Sequence, residues 1–249
     1  MVAPVKDAYD LDHFSLQDMT ECGMALRKLG ADAKSMEDVC HRTVKFLFDC
    51  LTSEKTEGKA CALVRSYVTA PLGQLTAELQ KSARTYKKDV AADARCLVLM
   101  GARGIKQEWS DARSSKNTLS IPLECPEMPK QLPMVAELVS QLGVAAEKPA
   151  SSGAKFLASE KQRTFNVFYV PDATSPAAIP DQQGFVQPNN LKSVVGYGGV
   201  LPSGNLFTVI AFLRAPISHQ AALAFRPFAL NTKIALLPFD EPDLMFSRH

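Results

Sequence analysis

The feature of this sequence that most constrains its fold is a pair of apolar segments joined by four turn-forming residues. Residues 192–201 and 206–214 are rich in β-branched and aromatic side chains, and Pro202-Ser203-Gly204-Asn205 lies between them. Two such segments, separated by residues that favour tight turns, predict a β-hairpin. The C-terminal half of the chain is therefore expected to contain an antiparallel sheet.

Changes of hydrophobic period predict the remaining elements. Strand-like patterns cover residues 60–68, 95–102 and 164–170, with a short extended piece at 119–121. Helical patterns cover residues 15–29, 36–51, 75–86 and 133–142, and a last helix runs from Ser218 towards Leu237, where Pro227 should kink or restart it. Long loops cover residues 105–133 and 171–190. Helices before and after consecutive strands predict an α+β fold rather than a parallel doubly wound sheet.

The first two helices carry recognisable start signals. Ser15 is the expected N-cap of the first helix, and Ser35 caps the second with Asp38 as the acidic third position of a capping box. One narrow face of the first helix carries a stripe with a small residue in it, formed by Leu16, Met19, Gly23 and Leu26. Such a stripe suits contact with another helix, either between subunits or within its own domain.

Composition and charge exclude several classes of protein. Lysine plus arginine total 28 and aspartate plus glutamate 26, so the formal net charge is 28 − 26 = +2, and nucleic acid is not an expected partner. An apolar fraction of 46% excludes disorder as a whole-chain description. The start lacks a secretory leader, and no stretch approaches the roughly 18 apolar residues of a membrane helix. We therefore expect a cytoplasmic protein with no membrane partner.

The cysteines and histidines show no catalytic or zinc-binding spacing. No two of the six cysteines form a C-x-x-C pair, and no histidine lies at zinc-finger distance from any pair. His41 adjoins Cys40, but adjacent residues of a helix do not face each other. These cysteines are expected to be buried apolar residues. The sequence therefore predicts no catalytic residue and no metal site, and the chain is not expected to be an enzyme.

Two glycine-rich segments resemble nucleotide-binding loops only superficially. In Gly196-Tyr197-Gly198-Gly199 the third glycine of a dinucleotide fingerprint is replaced by Leu201, and no helix follows. Glycines approaching a hairpin suit a bulge or a close backbone approach. Gly101-Ala102-Arg103-Gly104 lacks the lysine of a phosphate loop and marks the end of a strand.

Over residues 36–237 the sequence resembles a GAF domain, the sensory relative of the PAS fold. The resemblance is carried by residues 191–196 and 201–210, by Pro216 ahead of the closing helix, and by residues 61–68 and 96–103 as the first two strands. The loop with Gly104, Trp109, Arg113, Ser115 and Ile121-Pro122-Leu123 is similar to GAF-like modules that precede histidine kinases and cyclic-nucleotide output domains in bacteria. The helix at 75–86 and the long loop at 105–133 exceed a minimal GAF domain.

The resemblance implies a GAF/PAS-like antiparallel sheet flanked by helices, preceded by an N-terminal helix. Its implied organisation is a flexible tail at 1–14, an N-terminal helix at 15–34, a sensor domain at 35–238 and a C-terminal tail at 239–249. The implied function is that of a ligand- or redox-sensing module without its own output domain, as in two-component signalling. A small-molecule ligand would shift the terminal helices of a homodimer, and a separate signalling partner protein would read the change.

Eight residues are candidates for binding that ligand, whose identity and cofactor class the sequence leaves unknown. Arg65, Arg103 and Arg113 would capture an anion through the guanidinium fork, or be solvated at the surface. Tyr67, Tyr169 and Tyr197 fall on strands, as ligand platforms or as core. Trp109 is either a lid over a pocket or an anchor for its loop. Ser193 leads the strand that carries the resemblance.

Three other functions stay open from the sequence. The first is a cysteine-dependent redox enzyme resembling free methionine sulfoxide reductase, which needs two cysteines close together. The second is a haem-binding gas sensor with His41, Cys40, Cys61 or Cys96 as axial ligand. The third is a scaffold whose pocket is vestigial.

Overall fold

The computed structural model describes residues 8–110, 120–123, 166–176, 179 and 181–247. Its strands are β1 (Tyr9–Asp10), β2 (Leu51–Thr52), β3 (Cys61–Pro71), β4 (Arg95–Gly104), β5 (Ser120–Pro122), β6 (Asn166–Val170), β7 (Ser193–Val200) and β8 (Leu206–Leu213). Its helices are α1 (Leu16–Lys28), α2 (Met36–Cys50), α3 (Ala77–Tyr86), α4 (His219–Leu223) and α5 (Arg226–Leu236). The fold is mixed α+β, which confirms the fold class expected from the sequence.

Strands β3 to β8 form one antiparallel sheet in the order β5-β4-β3-β8-β7-β6. The hairpin expected from the turn residues is present, with Val200 opposite Leu206 across the connection. Gly204 in that turn has φ +80, in the left-handed region that glycine adopts at little cost. The hairpin places β8 beside β3, so the C-terminal segment supplies the middle of the sheet.

Local start signals fix the helices as expected. Ser15 and Asp18 form a reciprocal capping box at α1, and the Ser35 side chain accepts a hydrogen bond from the backbone of Asp38 at α2. The expected last helix is divided into α4 and α5, and Pro227 lies in the first turn of α5, where its missing N–H costs no hydrogen bond. The restart expected at Pro227 is therefore confirmed.

The two faces of the sheet are covered differently. One face packs against α1, α2 and α5 and is called the helix face; its core includes Val64, Val195 and Phe228. The other is called the loop face; its core includes Leu63, Ile210 and Phe212, and it is covered by the turn at Gln107–Trp109 and by the π-helical turn at Gln182–Val186. Strand residues alternate between these faces, as the pleat requires.

Both segments expected to be tails are packed where the structure describes them. Tyr9 and Leu11 are buried, and β1 pairs in parallel with β2. At the other end Met245 is buried, and its carbonyl accepts a hydrogen bond from the backbone N–H of Glu37. Residues 8–14 and 239–247 are thus parts of the folded unit, because they cover apolar surface of α2 and of the helix face.

Some expectations lie outside the described residues. They are the helix at 133–142, most of the loop at 105–133, the candidate Arg113, and Cys125. Within the described part of the chain, none of the helices combines the length and apolar character needed to cross a bilayer.

Candidate functional site

The loop face brings together two of the candidate ligand-binding residues, Arg65 and Tyr67 on β3. The pleat points both side chains to this face, and Arg65 Nη1 lies 3.4 Å from the Tyr67 hydroxyl oxygen. The Arg65 side chain is half buried and Tyr67 is buried. A half-buried guanidinium beside a phenol is suited to a carboxylate or phosphate, because the surrounding apolar residues reduce competition from water.

Two glycines lie on the same face, two strands away from this pair. The register places Ile210 of β8 between Arg65 and Gly196 of β7, and Thr208 between Tyr67 and Gly198. A Cβ atom on Gly198 would lie 2.3 Å from the carbonyl oxygen of Phe207, so these strands approach closely without a bulge. Gly196 and Gly198 add no side chain to the loop face. The loop face therefore lacks side chains at two buried positions of β7, beyond Ile210 and Thr208.

A chain of aromatic rings lies on the same face. The Trp109 ring packs edge-on against Phe185, with centroids 5.5 Å apart, and Phe185 packs against Phe212 at 5.1 Å. A Cβ atom on Gly104 would lie 2.8 Å from Trp109 Cβ, so Trp109 packs tightly on the end of β4. Lys106 Nζ lies 4.6 Å from the centre of the Trp109 ring. Trp109 therefore anchors its loop to the sheet and also lines the face that carries Arg65.

We call Arg65, Tyr67, Trp109, Phe185 and Thr208, with Gly196 and Gly198, the loop-face site. It contains a cation, a phenol and aromatic edges, and the Thr208 hydroxyl in it donates a hydrogen bond to the Tyr197 carbonyl at 3.1 Å. None of the described histidines or cysteines lies on this face. Within the described residues this set is suited to binding a ligand and supplies no nucleophile or base for transforming it.

Four other candidates lie on the helix face, where three of them make structural hydrogen bonds. The Ser193 hydroxyl donates to the Ala215 carbonyl at 2.6 Å, and Tyr169 donates to the Ile217 carbonyl at 2.5 Å. The Tyr197 hydroxyl lies 3.1 Å from Thr232 Oγ1 of α5. Burial raises the pKa values of both tyrosines. These hydrogen bonds hold β6, β7 and the segments around α4 and α5 together.

Arg103 is the fourth of these residues, and its guanidinium carbon lies 5.9 Å from the centre of the Phe48 ring on α2. The candidates that the sequence grouped therefore divide between opposite faces. Arg65, Tyr67 and Trp109 share the loop face, and the sheet separates them from Arg103, Tyr169, Ser193 and Tyr197. Arg113 lies outside the described residues.

The sequence analysis missed Phe185, Phe212 and Thr208. Period-two alternation along β8 carried the signal for two of them, because Thr208, Ile210 and Phe212 must share one face. Phe185 lies in a segment read only as a proline-containing loop. Its contact with Trp109 joins residues 76 positions apart, and no local pattern indicates such a pairing.

A second surface feature lies on the outer side of α1, α4 and α5. Gly23 and Gly30 allow α1 to approach α5 closely, since a Cβ atom on Gly30 would lie 2.4 Å from the Ala235 carbonyl oxygen. Of the six exposed large apolar side chains among the described residues, five lie on or directly after these helices. They form what we call the apolar stripe: Leu16, Met24, Leu223, Leu230 and Leu237. The expected stripe on α1 is divided, because Gly23 and Leu26 pack within the chain while Leu16 is 75% exposed.

The residues that the sequence offered as haem ligands lie where α2 packs directly on the sheet. Cys40, Cys61 and Cys96 are buried on the helix face. A Cβ atom on Gly101 of β4 would lie 2.9 Å from the backbone carbonyl of Cys40 and 3.1 Å from the backbone nitrogen of His41. This contact leaves no room for a porphyrin between α2 and β4 at these residues. Burial raises the pKa of the Cys40 thiol to about 12 and also raises that of Cys61, so neither thiol is prepared as a thiolate ligand.

No protein-family model matches this chain, and no curated protein sequence matches it. Functional assignment therefore depends on the two features above, the loop-face site and the apolar stripe.

Proposed function

We propose that this protein is a GAF-like sensor module that binds a small anionic ligand at the loop-face site and signals through α1 and α5 as a homodimer. Its output goes to a separate partner protein. The observation that carries the proposal is the two-sided sheet: one face has a cation, a phenol and aromatic edges, and the other has the helices that bear the apolar stripe. The element order and the sequence resemblance support the same reading.

The ligand class follows from the loop-face site. Arg65 and Tyr67 favour a carboxylate or phosphate group, and the edges of Trp109 and Phe185 favour an apolar or ring-shaped remainder. Because these groups come from β3 and from two covering turns, a bound ligand would connect the sheet to its cover. Ligand binding would then change the packing against one face of the hairpin β7–β8. The opposite face of that hairpin contacts α5.

The homodimer follows from the apolar stripe. Leu223, Leu230 and Leu237 recur at intervals of seven residues, and Leu16 and Met24 lie on α1, which packs against α5. Exposed large apolar residues concentrated on neighbouring helices mark a contact surface. A second copy of the chain would bury the stripe in a bundle of α1 and α5 from both subunits, with helices packed as in other bundles.

The dimer is tested by sedimentation of the wild type and of the double variant Leu223→Glu/Leu230→Glu. The wild type is expected to sediment as a dimer and the double variant as a monomer with an unchanged circular dichroism spectrum. Ile105→Glu is the matched control, because Ile105 is the sixth exposed apolar side chain and lies away from these helices. A monomeric wild type at micromolar concentration, or an equal effect of Ile105→Glu, would contradict the dimer.

The ligand is tested by native mass spectrometry and absorption spectroscopy on protein freshly purified from cells. An unexplained mass increment that is lost in Arg65→Met and retained in Arg103→Met is the expected result, because only Arg65 lies on the loop face. The single tryptophan is a second readout, since a ligand beside Trp109 should change its fluorescence. A mass increment that is lost equally in both variants, or retained in both, would contradict the loop-face site.

A further inference from the structure

A histidine and two carboxylates converge near the start of the chain, outside the loop-face site and the apolar stripe. Asp10 and His13 belong to the segment that begins with β1, and Glu54 follows β2, 41 positions after His13. One ring nitrogen of His13 and one carboxylate oxygen from each of Asp10 and Glu54 lie within 4.8 Å of one another. His13 Nδ1 is 2.8 Å from Asp10 Oδ2. We call these three residues the ribbon cluster.

Strand pairing brings the two segments of the ribbon cluster together. Strands β1 and β2 pair in parallel, with Tyr9 opposite Leu51 and Asp10 opposite Thr52. This strand pair, together with residues 8–14, is called the N-terminal ribbon. Tyr9 and Leu51 have no exposed surface. The backbone that carries Asp10 is therefore anchored by a buried pair of residues one position before it.

Side-chain hydrogen bonds fix the other half of the ribbon cluster. The Asp12 carboxylate accepts hydrogen bonds from the Ser53 hydroxyl, at 2.6 Å, and from the Lys55 ammonium group. Ser53 and Lys55 flank Glu54 in the chain, so these two contacts fasten the turn that carries Glu54 to the segment that carries the other two members. The arrangement of the cluster is thus supported by contacts that its own three side chains do not make.

The charge of the ribbon cluster favours a cation. The Asp12 carboxylate is paired with Lys55, whereas neither Asp10 nor Glu54 forms an ion pair with a described lysine or arginine. Two carboxylates beside a neutral imidazole carry two negative charges, and a protonated His13 would cancel only one of them. Carboxylates that share a site repel each other. A divalent cation between them would cancel both charges.

We propose that Asp10, His13 and Glu54 bind a divalent transition-metal ion, for which zinc is the best fit. Zinc accepts imidazole nitrogen and carboxylate oxygen at about 2.0–2.2 Å, and three protein ligands leave one position for water. Magnesium fits less well, because it favours oxygen ligands in near-ideal octahedral geometry. Around a tetrahedral zinc ion the donor atoms lie roughly 3.5 Å apart. The side chains of His13 and Glu54 are exposed, so rotation can close the remaining distance.

The bound ion would fasten the N-terminal ribbon to the turn after β2. Strands β1 and β2 contain two residues each, and short terminal elements open locally at lower free energy than the core of a sheet. An ion that binds the closed ribbon and not the open one shifts this equilibrium towards the closed form. The metal site goes beyond the proposed function and depends on neither the loop-face ligand nor the dimer.

The test begins with isothermal titration of zinc chloride into the untagged full chain after treatment with a chelator and dialysis. Zinc is expected to bind at least about tenfold more tightly than magnesium chloride does. Hydrogen exchange of the same protein locates the ion. Zinc should slow amide exchange in residues 8–14 and 52–56 and leave exchange in the hairpin β7–β8 unchanged. The wild-type chain gives both results, so they do not depend on the folding of any variant.

Two ligand variants and two matched controls sharpen the result. Glu54→Gln and His13→Gln should each weaken zinc binding about tenfold or more, since even loss of an outer partner of a metal ligand costs about 10–100-fold. Glu57→Gln and His219→Gln should bind zinc as the wild type does, because both side chains are exposed and neither belongs to the ribbon cluster. The proposal is overturned by absence of zinc binding, by unchanged exchange in residues 8–14, by binding that persists in both ligand variants, or by an equal loss in the controls.

Discussion

The helix face and the loop face of the sheet use the same strands for different purposes. On the helix face Tyr197 and Ser193 are paired within the chain, through hydrogen bonds to Thr232 and to the Ala215 carbonyl. On the loop face Arg65 contacts Tyr67, and rings from two turns pack over the same face. The helix-face hydrogen bonds hold elements of the fold together, and the loop-face groups are the ones that we propose bind a ligand.

This difference teaches that residue type alone does not separate core from site. Tyr197 and Tyr67 are both buried strand tyrosines, yet the partner of one is a threonine on α5 and the partner of the other is an arginine on the same strand. Which face a residue occupies decides its role.

The largest expected effect is the loss of a core ring from the helix face. Phe228 has no exposed surface and contacts the rings of Phe14, Tyr197 and Phe225. Phe228→Ala should lower the free energy of unfolding by about 3–5 kcal/mol. Phe185→Ala on the loop face should cost about 1–2 kcal/mol, because a half-buried ring loses less apolar contact. Urea unfolding measures both, and equal losses would remove the distinction between the faces.

Two glycines of β4 give the next comparison. Gly101→Ala would place a methyl group 2.9 Å from the backbone carbonyl of Cys40 on α2, and forcing this contact apart should cost about 1–3 kcal/mol. Gly104→Ala meets mainly the Trp109 side chain, whose surface turn can shift. It should cost less and move the tryptophan emission. This account of the two glycines would be contradicted if Gly104→Ala were the more destabilising substitution, or if it left the tryptophan emission unchanged.

Removing single hydroxyl groups should give a smaller contrast. Ser193→Ala removes a buried hydrogen bond to the Ala215 carbonyl and should cost about 1 kcal/mol. Tyr67→Phe removes a hydroxyl whose contact with Arg65 is 3.4 Å long, so its cost should stay within about 0.5 kcal/mol. Thermal unfolding with native mass spectrometry should show reduced ligand binding for Tyr67→Phe alone. A stability loss for Tyr67→Phe as large as that for Ser193→Ala would argue for a purely structural loop face.

The smallest expected effect concerns pH and the N-terminal ribbon, which belongs to the helix-face side. Burial alone raises the pKa of Asp12, but hydrogen bonds from Lys55 and Ser53 outweigh it, and the pKa is lowered overall. A carboxyl group with a lowered folded-state pKa stabilises the fold above its unfolded-state pKa of about 4. That contribution is lost as the pH falls through the folded-state value.

Lys55→Met should therefore flatten the fall in unfolding free energy at acid pH while lowering stability at neutral pH. Lys55 is mostly exposed, so the loss at neutral pH should be below about 1 kcal/mol. Lys88→Met is a control, because Lys88 is exposed and forms no ion pair with a described residue. Unfolding measured at several pH values between acid and neutral checks the slope, and the same slope in Lys55→Met and wild type would contradict this account.

Much of the fold was predictable because its signals are local. Ser15 and Ser35 begin helices where the capping pattern indicates, Pro227 restarts the last helix, and Pro202-Ser203-Gly204-Asn205 closes the hairpin. The packing of residues 8–14 was not predictable, because Tyr9 is fixed by a two-residue strand pairing with Leu51, 42 positions away. Local composition there resembles that of a tail.

The candidate site was predictable only in part. Residue chemistry selected Arg65, Tyr67 and Trp109, but the same reasoning also selected Arg103, Ser193 and Tyr197. Separating the two groups needs the strand order and the bulges in β3 and β4, which shift the alternation of side chains between faces. Those bulges leave no clear mark in the sequence.

The sequence by itself determined the described helices, the strands of the six-stranded sheet and the antiparallel hairpin, because caps, turns and hydrophobic periods act over a few residues. Only the tertiary structure decided which strands are neighbours, which face each side chain occupies, and that Tyr9 is buried in a short strand paired with β2. These contacts join distant parts of the chain, and burial of the whole apolar surface selects among them together. No short segment carries that information alone.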